Sequence, residues 1–334
     1  MEASGGSVLL NANESPWPPP HDAGCALNRY PDPQPAALLE ALAGLYGVAR
    51  EQILIGRGSD EAIDLLTRAF CRAGRDAVLI MPPTFGMYAL CARVQGAAVI
   101  EVPLDAQFAV DVPAVLAALS AEVKLVYLCA PNNPSGGAVP RAVVETLAVA
   151  LAGRALLVVD EAYVEFADTA SCSALLPRHP HLVVLRTLSK AWALAGARIG
   201  ALLAAEPIIA LLRRIMPPYP LPTPSVQAAL AALDADGRAL VTARIAATRA
   251  ERARIAAALR ATPGVELVLP SDANFIAFRH ADAARAYGDL RAAGVLLRDI
   301  GRYRGMSGFL RLSLGLPQEN DRALELLRRM RSAA

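Results

Sequence analysis

From about residue 36 onward, short apolar runs alternate with stretches whose apolar residues recur at helical spacing. One helix is predicted over Pro35–Tyr46, and another begins at Ser59 and ends by Gly74. Continuous apolar strands separated by helices are typical of a mostly parallel sheet with helices on both faces. We therefore predict an α/β fold for this part of the chain. The predicted strands are Ile53–Ile55, Ala77–Met81, Val123–Cys129, Ala155–Val159 and Leu182–Leu185.

Beyond about residue 220 the pattern changes. The proline-rich segment Pro217–Pro224 is followed by long helices rich in alanine, arginine and leucine, and a last helix starts near Glu319. Short strands lie between these helices, which indicates a smaller α+β domain. The expected division is an arm over 1–28, a large domain over 29–219 and a small domain over 220–334. The short strands are predicted at Val265–Leu269, Asn274–Phe278, Gly294–Arg298 and Phe309–Leu314.

The N-terminal arm is rich in proline over residues 1–35, which favours an extended segment over a helix. A disordered tail has a similar composition. However, Asn13, Glu14 and Tyr30 place specific polar and aromatic groups within a short stretch. We therefore predict that the arm docks onto the rest of the protein.

Composition narrows the possible classes of function. The chain has 334 residues, 54% of them hydrophobic, and its 33 basic residues nearly balance 31 acidic ones. No basic block indicates nucleic-acid binding, and no stretch of about 18 uncharged apolar residues indicates a membrane span. The N-terminus lacks the pattern of a signal peptide, and the five scattered cysteines are typical of reduced thiols. We expect a cytoplasmic protein without a metal site, because its four histidines do not cluster.

Chemically distinctive residues stand where the predicted strands end. Lys190 and Asp160 follow apolar runs, Tyr163 comes three residues after Asp160, and Asn133 lies in a proline-rich turn. Ligands of such sheets bind beyond the carboxyl ends of the strands. A lysine there suits a pyridoxal-phosphate enzyme, which holds its cofactor as a Schiff base, and Asp160 would pair with the pyridinium nitrogen. The alternatives are a helix cap for Asp160, a core aromatic for Tyr163 and a plain turn for Asn133.

A second group of residues suits a phosphate. The helix that begins at Ser59 follows Gly58, and its free backbone N–H groups form an anion site. We expect these amides and the Ser59 hydroxyl to bind the anion, and the acidic side chains of Asp60 and Glu61 to cap the helix or point away. A strand–glycine–helix turn alone is a weak signal. Further phosphate-binding groups flank Lys190 at Thr187, Ser189 and Arg198.

Three more residues are candidates for ligand contacts. Phe85 could stack on a cofactor ring, although a lone phenylalanine more often belongs to the core. Arg311 lies between two leucines of a predicted strand and could bind a substrate carboxylate or phosphate through a bidentate fork. Arg298 is a second candidate anion ligand. For both arginines a surface position is the alternative.

Together these motifs resemble the pyridoxal-phosphate aminotransferases of the aspartate-aminotransferase fold, and among them the histidinol-phosphate aminotransferase family. The resemblance covers nearly the whole chain, and the shared order of the segments carries it. It implies the fold type I of pyridoxal-phosphate enzymes, with a mostly parallel seven-stranded sheet between helices and a smaller α+β domain. The diagnostic segments are Asn28–Pro31, Arg57–Glu61, Pro82–Tyr88, Arg186–Lys190 and Pro218–Pro224.

The resemblance also implies roles around pyridoxal 5'-phosphate. Lys190 forms the Schiff base and moves the proton, Asp160 pairs with the ring nitrogen, and Phe85 stacks on the ring. Tyr163 and Asn133 hold the phenolic oxygen. The phosphate ligands are Ser59, Asp60 through its backbone, Thr187, Ser189, Arg198 and, from a second subunit, Tyr30.

For the substrates, the resemblance implies that Arg311 receives the carboxylate of glutamate and the phosphate of the other substrate, with Arg298 assisting. Asn13 and Trp17 of the arm are further candidates for the substrate pocket. Because Tyr30 would reach across to another subunit, the implied assembly is a homodimer with shared active sites.

The implied reaction moves the amino group of L-histidinol phosphate to 2-oxoglutarate, giving imidazole-acetol phosphate and L-glutamate. It is reversible and belongs to histidine biosynthesis. Three alternatives stay open: a threonine-phosphate decarboxylase-like lyase, a substrate-broad aromatic aminotransferase, and a regulator that binds the cofactor without turnover. The last usually carries a basic DNA-binding segment, and this chain shows none.

Overall fold

A computed structural model describes residues 8–22 and 24–329 of the chain. These residues form two β-sheets with helices packed against them. Residues 1–7 and 23 of the predicted arm, and residues 330–334 of the predicted small domain, lie outside the described residues.

The larger sheet contains seven strands: β1 (Ile53–Gly56), β2 (Ala77–Ile80), β3 (Ala98–Glu101), β4 (Val123–Cys129), β5 (Leu156–Asp160), β6 (Leu182–Thr187) and β7 (Gly200–Ala204). Their order across the sheet is β1-β7-β6-β5-β4-β2-β3. The pairs β3–β2, β2–β4, β4–β5 and β5–β6 are parallel, whereas β7 is antiparallel to both β6 and β1. The prediction of a mostly parallel, seven-stranded sheet is therefore confirmed.

Helices cover both faces of this sheet because its central strands are apolar on both sides. Successive residues of one strand belong to different hydrophobic clusters, with Val159 and Val184 in one and Val158 and Val183 in the other. This alternation follows from the pleat of a β-strand. The helices of this part are α1 (Ala36–Tyr46), α2 (Ser59–Phe70), α3 (Met87–Gln95), α4 (Val112–Ala117), α5 (Arg141–Leu151) and α6 (Glu206–Arg213).

Local sequence pattern misses two strands and shortens two others. It does not predict β3, an edge strand without a fully buried residue, or β7, which begins with a glycine. It also ends β5 and β6 too early, because Asp160 still pairs with Leu185 and Thr187 still pairs with Gly200. Backbone pairing with a neighbour therefore extends a strand past the end of its apolar run.

The smaller sheet is antiparallel, in the order β10-β11-β9-β8, with the strands β8 (Val265–Val268), β9 (Phe275–His280), β10 (Arg298–Asp299) and β11 (Phe309–Ser313). The predicted strand over Gly294–Arg298 is wrong, since only its last residue enters β10. Leu296 is 75% exposed, and β10 pairs only with the edge of β11. The helices after residue 220 are α7 (Thr223–Ala232), α8 (Ala235–Arg260), α9 (Ala283–Ala292) and α10 (Pro317–Arg329), and of these α7 packs against α1.

The α/β class and the smaller α+β unit are thus confirmed, whereas the domain boundaries at residues 28 and 219 stay a prediction. None of the helices in the described part of the chain combines the length and apolar composition that a membrane span needs.

Candidate active site

A cavity of about 230 Å³ lies beyond the carboxyl ends of β4, β5 and β6. The register of the sheet places Cys129 beside Asp160, and Asp160 beside Leu185. Residues that follow these strands therefore meet at one edge of the sheet. The cavity is lined by Gly58, Ser59, Asp60, Phe85, Cys129, Asn133, Asp160, Ala162, Tyr163, Thr187, Ser189, Lys190, Arg198 and Arg311.

Asp160 is the buried acid of this cavity, with only 2% of the residue exposed. Its Oδ2 accepts a hydrogen bond from the Tyr88 hydroxyl at 2.7 Å, and its Oδ1 accepts one from the Ala162 amide at 3.1 Å. Burial raises the pKa of Asp160 to about 6, although both hydrogen bonds act to lower it. The carboxylate is therefore mostly charged at neutral pH and becomes neutral in mild acid.

Lys190 follows the end of β6 and extends into the cavity. Its Nζ lies 5.7 Å from the centre of the Tyr163 ring. Partial burial lowers the pKa of Lys190, and the charges of Arg311 and Arg198 act in the same direction, while Asp60 opposes them. A lowered pKa increases the fraction of neutral amine, which is the form that acts as nucleophile or base.

The start of α2 forms an anion-binding end of the cavity. Gly58 precedes α2 and has no side chain that could cap it, so the first backbone amides of the helix are open to a ligand. Nearby, Arg198 donates from Nη1 to the Ser189 hydroxyl at 3.5 Å. Gly58 has a φ of +78°, and a Cβ at this position would lie 2.8 Å from Arg198 Nη2. A side chain at position 58 would therefore be strained by the positive φ and would displace the Arg198 guanidinium from the helix start.

The acidic side chains at this helix start take different directions. Glu61 accepts hydrogen bonds from the backbone amide of Arg57 at 2.7 Å and from its Nε at 2.9 Å, so it points back as expected. Asp60 does not point away: its Oδ2 pairs with Arg198 Nη2 at 3.2 Å. The expectation fails for Asp60 because Arg198, distant in sequence, supplies a cation at the cavity wall.

A chain of polar contacts joins the two sheets across the cavity. Asn133 donates from Nδ2 to the Tyr163 hydroxyl at 3.5 Å and accepts at Oδ1 from Arg311 Nη1 at 2.5 Å. The Arg311 guanidinium carbon lies 5.0 Å from the centre of the Phe275 ring. Its buried Nε has no hydrogen-bond partner among the described residues. The guanidinium is thus fixed at the cavity wall by its neighbours.

Some predicted site residues do not line this cavity within one chain. Tyr30 is 57% exposed and stacks on Tyr219, with 4.3 Å between ring centres. Asn13 and Trp17 are exposed on the arm, and Arg298 is exposed in β10. These four residues therefore do not line the cavity within one chain.

Sequence reasoning gave no role to Tyr88 or to the buried ion pairs behind the cavity. Tyr88 lies buried in the first turn of α3. Arg186 pairs with Glu161 at 3.5 Å and with Glu165 at 2.8 Å. The sequence offers a sign of these ion pairs, because Glu161 directly follows Asp160 and Arg186 directly follows the apolar run of β6.

The cavity contains the groups that pyridoxal phosphate requires. Backbone amides, hydroxyls and a guanidinium converge at the start of α2, and this set of donors suits a phosphate. The close approach of Arg198 to Gly58 brings the guanidinium to this helix start. A buried carboxylate, Asp160, suits a protonated ring nitrogen, and Lys190 supplies the amine. The residues present therefore fit this cofactor.

This fold and this site define a pyridoxal-phosphate-dependent enzyme of the aspartate-aminotransferase type. The family described as "Aminotransferase class I and II" matches residues 7–327, so the chain belongs to that family.

Comparison with individual proteins narrows the family. The histidinol-phosphate aminotransferase of Stenotrophomonas maltophilia is 54% identical over 333 residues, which is 98% of this chain and 92% of that protein. That of Xylella fastidiosa strain 9a5c is 52% identical over 97% of this chain and 90% of its own length. The chain is thus a member of the histidinol-phosphate aminotransferase family.

A solved structure agrees with this placement. Histidinol-phosphate aminotransferase from Sinorhizobium meliloti, in complex with pyridoxal-5'-phosphate, superimposes with a TM-score of 0.81 at 32% identity, over 95% of this chain and 88% of that chain. L-threonine-O-3-phosphate decarboxylase from Porphyromonas gingivalis matches with a TM-score of 0.78 at 24% identity, over 92% of this chain and 91% of that chain. The latter likeness concerns the fold alone.

Proposed function

We propose that this chain transfers the amino group of L-histidinol phosphate to 2-oxoglutarate, reversibly, in histidine biosynthesis. The observation that carries the proposal is the cavity in which Lys190, Asp160 and Arg311 face one space, within a chain 54% identical to a histidinol-phosphate aminotransferase. The proposal places the reaction in the cytoplasm, where five unpaired thiols are stable.

The cavity residues would hold pyridoxal phosphate in three places. Its phosphate would bind the amides of Ser59 and Asp60 with the side chains of Thr187, Ser189 and Arg198. Phe85 would cover the ring, and Tyr163 with Asn133 would hold the phenolic oxygen. The bound cofactor supplies an electron sink that stabilises negative charge on the substrate carbon.

Lys190 is the residue that we assign to covalent attachment and to proton transfer. Its Nζ would accept the proton released from the substrate carbon that bears the amino group, and would return it later. The lowered pKa of Lys190 favours this role, because a neutral amine can accept a proton. Asp160, charged above its pKa of about 6, would hold a proton on the ring nitrogen.

Arg311 is the residue that we assign to the carboxylate of glutamate or 2-oxoglutarate and to the phosphate of L-histidinol phosphate. Asn133 fixes one nitrogen of its guanidinium, and the unpaired Nε is buried at the same wall. Arg298 would assist, since it faces Arg311 in the pairing of β10 with β11. Lys190 also lines an adjoining cavity of about 830 Å³, which leaves space for the rest of a substrate.

A second copy of the chain is part of this proposal. The stacked rings of Tyr30 and Tyr219 are both exposed, and Glu14 fixes this segment by accepting hydrogen bonds from the Tyr30 amide at 2.6 Å and from Arg29 at 2.9 Å. A rigid, exposed aromatic pair suits a contact with another subunit. We infer a homodimer in which Tyr30 reaches the partner's phosphate site, and analytical ultracentrifugation tests the dimer.

The assignment of Lys190 can be tested sharply because the chain has only two lysines, Lys124 and Lys190. We expect Lys190→Ala to lose glutamate formation from L-histidinol phosphate and 2-oxoglutarate by at least about a thousandfold, as removal of a general base and attachment point requires. Lys124→Ala is the matched control and keeps full activity. Borohydride reduction followed by peptide mass mapping should find the cofactor on Lys190.

The same assays decide between the alternatives. Cofactor fixed on Lys124, or full transamination by Lys190→Ala, would contradict the assignment. Carbon dioxide release from O-phosphothreonine would favour a lyase instead. Faster amino transfer from phenylalanine than from L-histidinol phosphate would favour an aromatic aminotransferase.

A further inference from the structure

Tyr88 is a buried ionisable group in direct contact with the site that the proposed reaction does not yet use. The residue is fully buried in α3, and its hydroxyl donates to Asp160 Oδ2 at 2.7 Å. The two residues are 72 positions apart in the sequence. This is the only side-chain hydrogen bond that Asp160 receives within the described chain.

Aromatic neighbours fix the Tyr88 ring from two sides. Tyr127 stacks on it with 4.6 Å between ring centres and 7° between ring planes. Phe85 meets it edge-on at 5.6 Å. Tyr127 is itself held at its hydroxyl by Thr67 Oγ1 at 3.2 Å and the Ile63 carbonyl oxygen at 3.3 Å. The Tyr88 hydroxyl therefore reaches Asp160 from a ring that is held in place by its aromatic neighbours.

We propose that Tyr88 is a positioning residue for the reaction: its hydroxyl orients the Asp160 carboxylate toward the ring nitrogen of the cofactor and stabilises the charged form of that carboxylate. This inference rests on the proposed function. Each carboxylate oxygen can accept two hydrogen bonds, so the bonds from Tyr88 and Ala162 leave acceptor sites for the cofactor.

The groups that face Asp160 leave Tyr88 as its main side-chain support. Burial raises the pKa of Asp160, and the hydrogen bond from Tyr88 is the largest effect that lowers it, ahead of that from the Ala162 amide. The charge of Asp60 raises the pKa further, and Lys190 lowers it. The other ionisable groups around Asp160 are buried and have raised pKa values, which keeps them neutral; they are Tyr127, Cys129 and Tyr163.

Removing the Tyr88 hydroxyl should therefore raise the pKa of Asp160. A hydrogen bond to a charged group corresponds to a shift of about one pH unit or more. At neutral pH a larger fraction of Asp160 would then be protonated. In the loaded enzyme the proton shared with the ring nitrogen would move toward the carboxylate.

The experiment compares Tyr88→Phe with Tyr127→Phe. Both variants lose one buried hydroxyl and keep the stacked rings, but only Tyr88 touches Asp160. In the cofactor-free protein, the ¹³C carboxyl signals of labelled aspartates are titrated, and Asp160→Asn identifies the signal of Asp160. In the loaded protein, ring-labelled ¹⁵N pyridoxal phosphate reports whether its nitrogen is protonated.

We expect Tyr88→Phe to raise the Asp160 midpoint by about one pH unit and to move the ¹⁵N signal toward the unprotonated form. Tyr127→Phe should leave both unchanged. An unchanged Asp160 midpoint in Tyr88→Phe overturns the inference, as does an equal shift in both variants. The titration of Asp160 needs no cofactor and therefore tests the role of Tyr88 by itself. Failure of the protein to bind pyridoxal phosphate would be a separate result, and it would refute the proposed function.

Discussion

Arg186 provides a quantitative test of what holds the site together. Its side chain is 8% exposed and pairs with Glu161, 2% exposed, and Glu165, 12% exposed. Its guanidinium carbon also lies 4.6 Å from the centre of the Tyr46 ring. Glu161 directly follows Asp160, and Arg186 precedes Thr187, so this cluster joins the ends of β5 and β6.

Replacing Arg186 by methionine keeps much of the apolar volume but leaves two buried carboxylates without their cation. Breaking a buried ion pair from one side costs about 3–5 kcal/mol of unfolding free energy. Urea unfolding of the cofactor-free protein, followed by circular dichroism at a fixed protein concentration, measures the loss. The matched control is Arg178→Met, because Arg178 is 64% exposed where it pairs with Glu145 at 3.4 Å. The control should lose little.

The loss should also depend on pH in a defined direction. Burial already raises the pKa of Glu161 above its ordinary value of 4.5, and Arg186 counteracts that rise. Without Arg186 the folded state binds a proton that the unfolded chain has released above about pH 4.5, so its stability falls as the pH increases. The deficit of Arg186→Met should therefore be larger at pH 8 than at pH 5. A loss below about 1 kcal/mol, or one equal at both values, would refute this reasoning.

Two further substitutions test the ends of the cavity. Gly58→Ala should weaken cofactor binding about tenfold in a fluorescence titration, since the new Cβ would lie 2.8 Å from Arg198 Nη2. Gly24→Ala is the control, because Gly24 has a similar positive φ without any neighbour within 4 Å, and this variant should bind the cofactor normally. Arg311→Lys should raise the KM for glutamate about 10- to 100-fold through loss of the bidentate fork, whereas Arg279→Lys, exposed beside Glu266, should not change it in a steady-state assay. An unchanged cofactor affinity in the first case, or an unchanged KM in the second, would contradict these roles.

Much of the site was visible in the sequence because its residues follow strands. The apolar runs that form β4, β5 and β6 predict a parallel sheet, and a parallel sheet brings its carboxyl ends to one edge. Asn133, Asp160 and Lys190 were placed in this way, and the cavity contains all three. The resemblance to a known family supplied their proposed roles, which the sequence pattern alone could not.

Other features depended on contacts between distant segments. Arg198 meets Asp60 across 138 positions, and Arg311 meets Asn133 across 178. Periodicity reports whether a residue faces the core, but it does not report which residue lies opposite. The expectation for Asp60 failed for this reason, and Tyr88 received no role.

The sequence by itself determined most of the alternation of strands and helices, and it indicated the sheet edge at which Asn133, Asp160 and Lys190 lie. These follow from local hydrophobic pattern, which a strand or helix expresses wherever it is placed. Only the tertiary structure decided the strand order β1-β7-β6-β5-β4-β2-β3, the antiparallel β7, and the support of Asp160 by Tyr88. The physical reason is that such pairings arise from the packing of segments far apart in the chain, where the free energy depends on both partners at once.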